Sequence, residues 1–463
     1  MSKEEIAEGL ASYGTSLKYE DLSPEVLHKL KGLLVDTLGC ALGGYDAKPS
    51  QIARSMAGKI QQCDMPATIL GSGAKSCPDL ATFANGVMIR YLDFNDGFMS
   101  VGGGHPSDNF APVLTCADAI HANGRDVIVA SVLAYEVFCR LLDQFTLTKK
   151  GFEYSVAIAI SGTVGASKIL GLSQTEMFQA INLATAPNLS LRQTRVGAVS
   201  MWKGCASANA ARNAVFAALL AKEGMTGPQP IFEGRFGFFN AVSGPFRLEE
   251  FGDRNKPFRM MNTMIKRYPC GQHAQTAIDA ALKLRRQLSD IREVSQIDVE
   301  TYAPALRTMA GDSEKWHPKT RETADHSIPY VVAIALMHGD VTPRYFGDQY
   351  RNDASILGLM QKIRVKETEQ FNKLYPDSSP CNMEIVTQSG MKLSELVMHH
   401  QGHYRNPLTD REIELKFNSL ADGWVGPTER EELLKTLWML EKVDDIFKVF
   451  KLSTIRGRNN CQT

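Results

Sequence analysis

The chain has 463 residues, 44% of them hydrophobic and 22% charged, which is enough for one large domain and a smaller one. Its 51 basic and 51 acidic residues balance, so the composition excludes a chain-wide basic field that would attract nucleic acid or anionic lipid. No apolar run reaches the roughly 18 residues that a membrane span requires, and we predict neither a membrane nor a nucleic-acid partner.

The first ten residues, MSKEEIAEGL, carry acids where a targeting segment would carry basic residues, which predicts a cytoplasmic protein. The nine cysteines, the last of them Cys461, include no CxxC pair, which argues against a disulfide framework and a zinc ribbon. The chain also lacks a dinucleotide fingerprint and a Walker A sequence. We therefore predict no cofactor and no metal.

The N-terminal half is predicted to be a series of helices, begun by capping residues and ended by glycine. Ser23 and Pro24 mark the start of one whose apolar residues recur at helical spacing until Gly43. Ser173 and Glu176 form a capping box for another. Small residues on almost every face of the segment 203–223 predict that it forms a central, buried helix. The patterns predict further helices over 79–91, 125–142, 156–170, 174–184 and 203–223.

The pattern changes near residue 265. A helix is predicted over 273–288, a strand over 296–302, and a hairpin of 383–387 with 392–398. Capping boxes then return at Thr409 with Glu412 and at Thr428 with Glu431, the second beginning a long helix through about Phe450.

The predicted fold class is mainly α. A large all-α helical domain is expected from residues 1–264 plus 408–463, with an α+β lid domain inserted over 265–407.

Polar, titratable residues concentrate in four segments of otherwise apolar or glycine-rich sequence. In the first, Asp93 and Asp96 lie three apart and precede the glycines before His105, which allows the imidazole to turn back toward an acid. A carboxylate beside an imidazole is typical of a general base. The alternative is a loop in which these side chains only satisfy backbone groups.

The second segment places Arg192, Arg195 and Lys203 before the small-residue helix, where an anion would bind favourably. A solvated basic turn is the alternative. The third segment carries Lys266 and then His273 near a helix start, where the helix dipole should lower the pKa of the imidazole.

The fourth segment groups Asp325, His326 and Tyr330 before an apolar helix. A buried structural histidine is the alternative here. By contrast, the spacing of His399, His400 and His403 is similar to that of a metal site, but their hydrophilic surroundings favour a solvated loop.

Taken together and in this order, the four segments resemble the MmgE/PrpD family. The motifs are YLDFND with GGHPSDN, LRQTRVG with MWKGCASANAARNA, RYPCGQHAQTA, and DHSIPYVVA. The resemblance spans nearly the whole chain and is greatest to the 2-methylcitrate dehydratase branch; cis-aconitate decarboxylases belong to the same family. It implies an all-α domain with an inserted α+β lid, a homodimer, and a role in propionate catabolism.

The resemblance also implies roles for individual residues. Many relatives carry a threonine where this chain has Gly97, and a histidine where it has Tyr154, which leaves any role of those two positions in doubt and suggests an altered substrate. The family's functional positions fall on the loop acid Asp93, the loop histidine His105, the WKG lysine Lys203, the basic residue Lys266, the lid-helix histidine His273 and the tyrosine Tyr330.

The resemblance implies a metal-independent hydro-lyase that eliminates water from a 2-methylcitrate-like or citrate-like tricarboxylate, and these residues supply the acid, base and cations that such a reaction needs. The base is His105, oriented by Asp93, or else His273; the sequence does not decide between them. Tyr330 is the expected proton donor or orienting group. The residues expected to bind substrate are Arg192, Arg195, Lys266 and His326, with Lys203 also placed on a carboxylate.

Three other functions fit the same pattern. Decarboxylation of cis-aconitate uses the same set of residues, and epimerisation of an imino or amino diacid needs only two opposed proton-transfer groups. A catalytically inactive helical scaffold or binding protein is the non-enzyme alternative. Such a scaffold would not need the acid, the lysine and the histidines that this chain carries, which argues against this alternative.

Overall fold

The structure is a computed structural model that describes residues 6–60, 62–248 and 250–455. Residues 1–5, part of the segment behind the cytoplasmic prediction, and Cys461 lie outside the described residues. The eight cysteines within them are free thiols. Among the described residues, we find no helix with the length and apolar character to cross a membrane.

Helices dominate the described fold, which confirms the mainly α prediction. The α-helices are α1 Ile6–Ser16, α2 Pro24–Gly43, α3 Lys48–Ala57, α4 Pro78–Tyr91, α5 Phe110–Ala119, α6 Gly124–Gln144, α7 Ser155–Ile169, α8 Gln174–Thr185, α9 Ala206–Lys222, α10 Gln275–Arg285, α11 Ala303–Met309, α12 Arg321–Ala324, α13 Ile328–His338, α14 Asp348–Arg351, α15 Ala354–Met360, α16 Glu369–Leu374, α17 Asp410–Ala421, α18 Pro427–Trp438 and α19 Phe447–Leu452. The strands are β1 Ala67–Thr68, β2 Lys75–Ser76, β3 Phe98–Met99, β4 Gly103–Gly104, β5 Val294–Thr301, β6 Ile363–Glu367, β7 Cys381–Thr387 and β8 Lys392–Val397.

Local capping explains where several helices begin. The Ser23 side chain accepts from the backbone N–H of Val26, and Pro24 occupies the first helical position of α2. The predicted capping boxes that begin α8 and α17 are both present. The sequence signals for these three helix starts are therefore confirmed.

Helix α9 lies at the centre of the helical part, as predicted. It packs against α4, α7 and α8. Its alanines allow close approach: a Cβ added at Gly86 of α4 would lie 2.9 Å from the Cβ of Ala208. This packing fixes the start of α9 beside the end of α4, and it brings together two of the predicted site segments.

The later part of the chain contains a four-stranded sheet in the order β6-β5-β7-β8. Strands β5 and β6 are parallel, and the other pairs are antiparallel. The predicted hairpin of β7 and β8 turns at Gly390, whose φ of 84° favours glycine. Helices α10 and α13 pack on this sheet.

Buried apolar side chains form two large clusters. One draws on residues 7–265 together with 413–450, and the other on residues 268–397. Helices α17 and α18 pack on α2, so the C-terminal helices rejoin the first helices, as predicted. The division into two domains with the boundaries given above remains a prediction, which the separate clusters support.

Two predictions were wrong. Helix α18 is capped by Gly426, because Pro427 takes its first position, so Thr428 lies inside the first turn; the helix ends at Trp438 instead of continuing to Phe450. The prediction that the loop histidines are solvated was wrong for His400 and His403, which are 0% and 1% exposed, whereas His399 is half-buried.

Candidate active site

Asp93 is the centre of a buried cluster of charges. It lies two residues after the end of α4 with a φ of 51°, a left-handed conformation that aspartate adopts more readily than most residues. Its Oδ1 accepts from Arg90 at 2.8 Å and from Lys266 at 2.5 Å, and its Oδ2 lies 3.0 Å from Lys203 Nζ. Three cations from three separate parts of the chain thus converge on one carboxylate.

A second buried carboxylate adjoins the first. Lys203 Nζ lies 2.5 Å from Asp325 Oδ1, so one ammonium bridges Asp93 and Asp325. Arg321 pairs with the other oxygen of Asp325 at 3.2 Å. Burial alone would raise the pKa of Asp93, but Arg90, Lys203 and Lys266 hold it well below its ordinary value, so this carboxyl is ionised.

The same carboxylates raise the question of a metal. Asp93, Asp325 and His326 place ligand atoms within 4.8 Å of one another. The Lys203 ammonium, however, already bridges the two carboxylates. A metal ion bound by both would have to displace that ammonium, so the charge arrangement here fits a lysine better than a metal.

His105 faces this cluster with a defined tautomer. Its Nδ1 lies 2.6 Å from the backbone carbonyl oxygen of Asp96, which can only accept, so Nδ1 carries the proton and the neutral ring has its lone pair on Nε2. Burial, then Arg90 and Lys266, lower the pKa of His105 well below its ordinary value. The predicted orienting group, Asp93, lies 3.8 Å from Nε2, and the orienting hydrogen bond goes instead to Asp96.

His326 is held in a similar way. Its Nδ1 donates to Asp325 at 2.8 Å and lies 3.2 Å from Asp93 Oδ2, which leaves its Nε2 as an acceptor. Burial, then Lys203, lowers the pKa of His326 to about 3. The imidazole is therefore neutral near pH 7.

His273 hydrogen-bonds the Tyr302 hydroxyl through Nδ1 at 2.8 Å. The pKa of His273 is lowered to about 3, and the sequence had predicted the direction of this shift. The largest cause is burial, followed by Arg192, and not the helix dipole on which the prediction rested.

The three histidines line one cavity of about 660 Å³. Glycines 102–104, α11 and the 192–196 segment complete the wall. The lining includes the basic side chains of Lys149, Arg192, Arg195 and Arg307 but only one acid, Asp312. A cavity with this excess of cations is suited to a ligand with several negative charges.

The cavity arginines differ in whether they form an ion pair. Arg195 donates from Nε to the buried Glu153 at 2.6 Å, so its charge is neutralised. Among the described residues, neither Arg192 nor Arg307 forms an ion pair. These two guanidinium groups are therefore available to bind carboxylates of a ligand.

The structure brings together most of the predicted site residues, but not Tyr330. The hydroxyl of Tyr330 donates to the backbone carbonyl of Tyr345 at 2.5 Å, and the residue is absent from the cavity wall. Asp93, Lys203 and Lys266 form the charge cluster, while the remaining predicted residues, His105, Arg192, Arg195, His273 and His326, line the cavity.

Both positions that depart from the family pattern lie at the site. Tyr154 lines the cavity, where its hydroxyl accepts from Arg90 at 3.0 Å and donates to Asp108 at 2.8 Å. A Cβ at Gly97 would lie 2.6 Å from Oε1 of the cavity residue Gln272. A side chain at position 97 would therefore force Gln272 to move.

Several site residues were missed from the sequence. Arg90, in the last turn of α4, precedes Asp93 by three residues, a spacing that could have indicated the pair. Asp325 stood in a quoted motif but was given no role. Arg307 lies in the short helix α11, and no sequence signal pointed to it.

Asp96 should make stability depend on pH. Burial raises the pKa of this carboxyl to about 7, although Ser107 and Tyr135 donate to it. The folded chain then holds a proton that the unfolded chain releases, so stability falls as pH rises from about 4 to about 7. In Asp96→Asn we expect the free energy of unfolding to fall less steeply with pH than in wild type, by at most about 1.4 kcal/mol per pH unit. Denaturant unfolding across this pH range tests it, and equal slopes in both proteins would contradict it.

Two family models match consecutive parts of the chain. Residues 8–250 match the MmgE/PrpD N-terminal domain and residues 268–442 match the MmgE/PrpD C-terminal domain. A 2-methylcitrate dehydratase of Cupriavidus necator is 29% identical over 423 residues, covering 84% of each chain. The human cis-aconitate decarboxylase is 27% identical over 461 residues, covering 96% of this chain and 94% of the relative.

Proposed function

The chain belongs to the MmgE/PrpD family, and from that premise we propose that it is a metal-independent hydro-lyase acting on a 2-methylcitrate-like or citrate-like tricarboxylate. The observation that carries this proposal is the cavity itself. Arg192 and Arg307, which form no ion pair among the described residues, line the same space of about 660 Å³ as the neutral imidazole acceptor of His105.

Substrate binding is assigned to the cavity arginines that form no ion pair with any residue the structure describes. Lys203, Lys266 and Arg90 are tied to Asp93, so they set the local potential while remaining paired. Arg192 and Arg307 line the cavity without an ion pair among the described residues, and they would bind carboxylates of the substrate.

His105 is the proposed base. Elimination of water needs an acceptor for the proton on carbon, and Nε2 of His105 is unprotonated because Nδ1 donates to a carbonyl. The surrounding cations that lower its pKa, Arg90 and Lys266, also stabilise the enolate-like charge that develops when the proton leaves.

His273 is proposed as a hydrogen-bond donor and not as the base. We assign the Tyr302 hydroxyl, 2.8 Å from Nδ1 of His273, as the donor in this hydrogen bond, which places the ring proton of His273 on Nε2. A neutral imidazole in this tautomer can donate to a carboxylate or to the departing hydroxyl. His326, with Nε2 as an acceptor, is assigned to substrate binding.

A cis-aconitate decarboxylase is the second candidate. The human cis-aconitate decarboxylase aligns over 96% of this chain, a larger share than the 84% of the Cupriavidus dehydratase. Decarboxylation would use the same carboxylate-binding arginines but would deliver a proton to carbon. The hydro-lyase is preferred because His105 presents an acceptor, which suits proton removal.

Turnover of four compounds distinguishes these functions. Purified protein treated with a chelator is incubated separately with 2-methylcitrate, citrate, cis-aconitate and an iminodiacid, and each reaction is followed by proton NMR. Vinyl or methyl-vinyl signals from a citrate support the proposal. Itaconate-like signals from cis-aconitate replace it with the decarboxylase, and inversion of the iminodiacid replaces it with an epimerase. No change in any of the four tubes rejects it.

Arg307→Gln tests the assignment of the free arginines. Losing one charge-assisted hydrogen bond of about 1.5–3 kcal/mol should raise KM about 10- to 100-fold. The value of kcat should change little, because Arg307 binds a carboxylate that is present before and after the reaction. Arg364→Gln is the matched control, since Arg364 is exposed on β6 and is not part of the cavity wall. An unchanged KM in Arg307→Gln would remove this residue from the substrate site.

A further inference from the structure

Two cysteines differ from the others in exposure. Cys63 and Cys77 are partly exposed, whereas the other cysteines that the structure describes are buried. Neither contributes to the cavity wall, and the proposed mechanism uses neither. The pair therefore needs an explanation of its own.

The fold brings these two thiols together. Strands β1 and β2 are antiparallel, with Ala67 opposite Ser76, so the chain just before β1 runs beside the chain just after β2. The Cys63 thiol lies 3.7 Å from the carbonyl oxygen of Ser76, the residue before Cys77, and it is close enough to the Cys77 thiol to raise its pKa. The two sulfur atoms are thus already neighbours in the reduced chain.

We propose that Cys63 and Cys77 form a thiol–disulfide exchange site that a low-molecular-weight disulfide, such as oxidised glutathione, oxidises. The site stands on this contact and on the access of both thiols to solvent. It depends neither on the proposed substrate nor on the cavity.

The exchange balances as two substitutions at sulfur. The Cys63 thiolate attacks one sulfur of the small disulfide, whose S–S bond breaks and releases one thiol. The Cys77 thiolate then attacks Cys63 in this mixed disulfide, forming the Cys63–Cys77 bond and releasing the second thiol. The two protein thiols are oxidised, the small disulfide is reduced to two thiols, and the two protons end on those thiols.

The order of attack follows from the surroundings. Burial, and then the neighbouring Cys63 thiol, raises the pKa of Cys77, which makes Cys77 the weaker first nucleophile and suits it to the second step. Cys77 also occupies the position just before α4, the helix whose other end carries Arg90. A disulfide between Cys63 and Cys77 would therefore cross-link the chain before β1 to the start of α4, the helix that leads into the charge cluster.

Oxidation of the intact chain tests the proposal. Reduced protein is incubated with oxidised glutathione, quenched with acid, alkylated, digested and analysed by mass spectrometry. We expect a cross-linked peptide joining Cys63 to Cys77, formed at least about tenfold faster than any modification of the buried Cys116. Cys77→Ser should instead accumulate glutathione on Cys63, and the control Cys116→Ser should retain the cross-link.

Peptide identification separates this site from Cys461, which could also react. The proposal is overturned if Cys63 and Cys77 are both recovered alkylated after this treatment. It is also overturned if each is cross-linked to Cys461 in preference to the other, or if Cys77→Ser leaves Cys63 unmodified.

Discussion

Asp93→Asn is expected to abolish measurable turnover and to lower the free energy of unfolding by about 3–5 kcal/mol. The asparagine keeps the shape of the side chain and tolerates the φ of 51°, so the substitution removes little except the charge. That charge neutralises Arg90, Lys203 and Lys266, all of them buried. Without it, Arg90 and Lys266 lose this ion pair, Lys203 keeps only Asp325, and the arrangement around His105 is lost.

The measurement is denaturant unfolding at neutral pH, together with turnover per folded molecule. Asp410→Asn is the matched control, because Asp410 is an exposed carboxylate that pairs with His28, and its loss should cost at most about 1 kcal/mol. A loss of stability in Asp93→Asn no larger than in the control would contradict the role of Asp93 as the anchor of the cluster.

The difference in the free energy of unfolding between wild type and Asp93→Asn should depend on pH with a definite sign. The pKa of Asp93 is lowered in the folded chain, so its stabilising contribution is present above the ordinary aspartate pKa of about 3.9 and is lost as pH falls below it. Wild type and Asp93→Asn should therefore approach each other in stability at acid pH. A difference that grows as pH falls would have the wrong sign.

His105→Asn has the second largest expected effect, a fall in kcat of about 10²- to 10⁴-fold. An asparagine amide can replace the Nδ1–H that donates to the carbonyl of Asp96, but it leaves no acceptor where Nε2 stood. Folding should change much less than in Asp93→Asn, since the ring carries no charge in the folded state.

A buried histidine outside the cavity provides the control for this variant. His403 is 1% exposed and takes no part in the cavity wall, so His403→Asn should leave kcat per folded molecule within a few-fold of wild type. If His105→Asn lost less than about tenfold in kcat, His105 could not be the base.

The helices were predictable where local signals determine them. Ser23 with Pro24, and Ser173 with Glu176, satisfy backbone groups within one turn, and such caps act through neighbouring residues alone. The same reasoning failed at Thr428, because Pro427 fixes the first position of α18 and moves the cap to Gly426.

The site was less predictable because it depends on contacts between distant parts of the chain. The motifs identified Asp93, Lys203 and Lys266, but their convergence on one carboxylate follows from packing across more than one hundred residues. Tyr330 belongs to a motif, yet its hydroxyl donates to the backbone carbonyl oxygen of Tyr345 and lies outside the cavity wall. The burial of His403 likewise depends on surroundings that its polar sequence neighbours do not indicate.

Incorporation of solvent deuterium tests the central claim, that a neutral histidine in this cavity removes a proton from a carbon of the substrate. Wild type and His105→Asn are incubated in D₂O with 2-methylcitrate, and proton NMR follows both the unsaturated product and the deuterium on the remaining substrate. The account predicts that wild type forms the unsaturated acid and exchanges one carbon-bound proton, and that both rates fall at least about 100-fold in His105→Asn. Equal rates in the two proteins, or no exchange and no elimination by wild type, would contradict it.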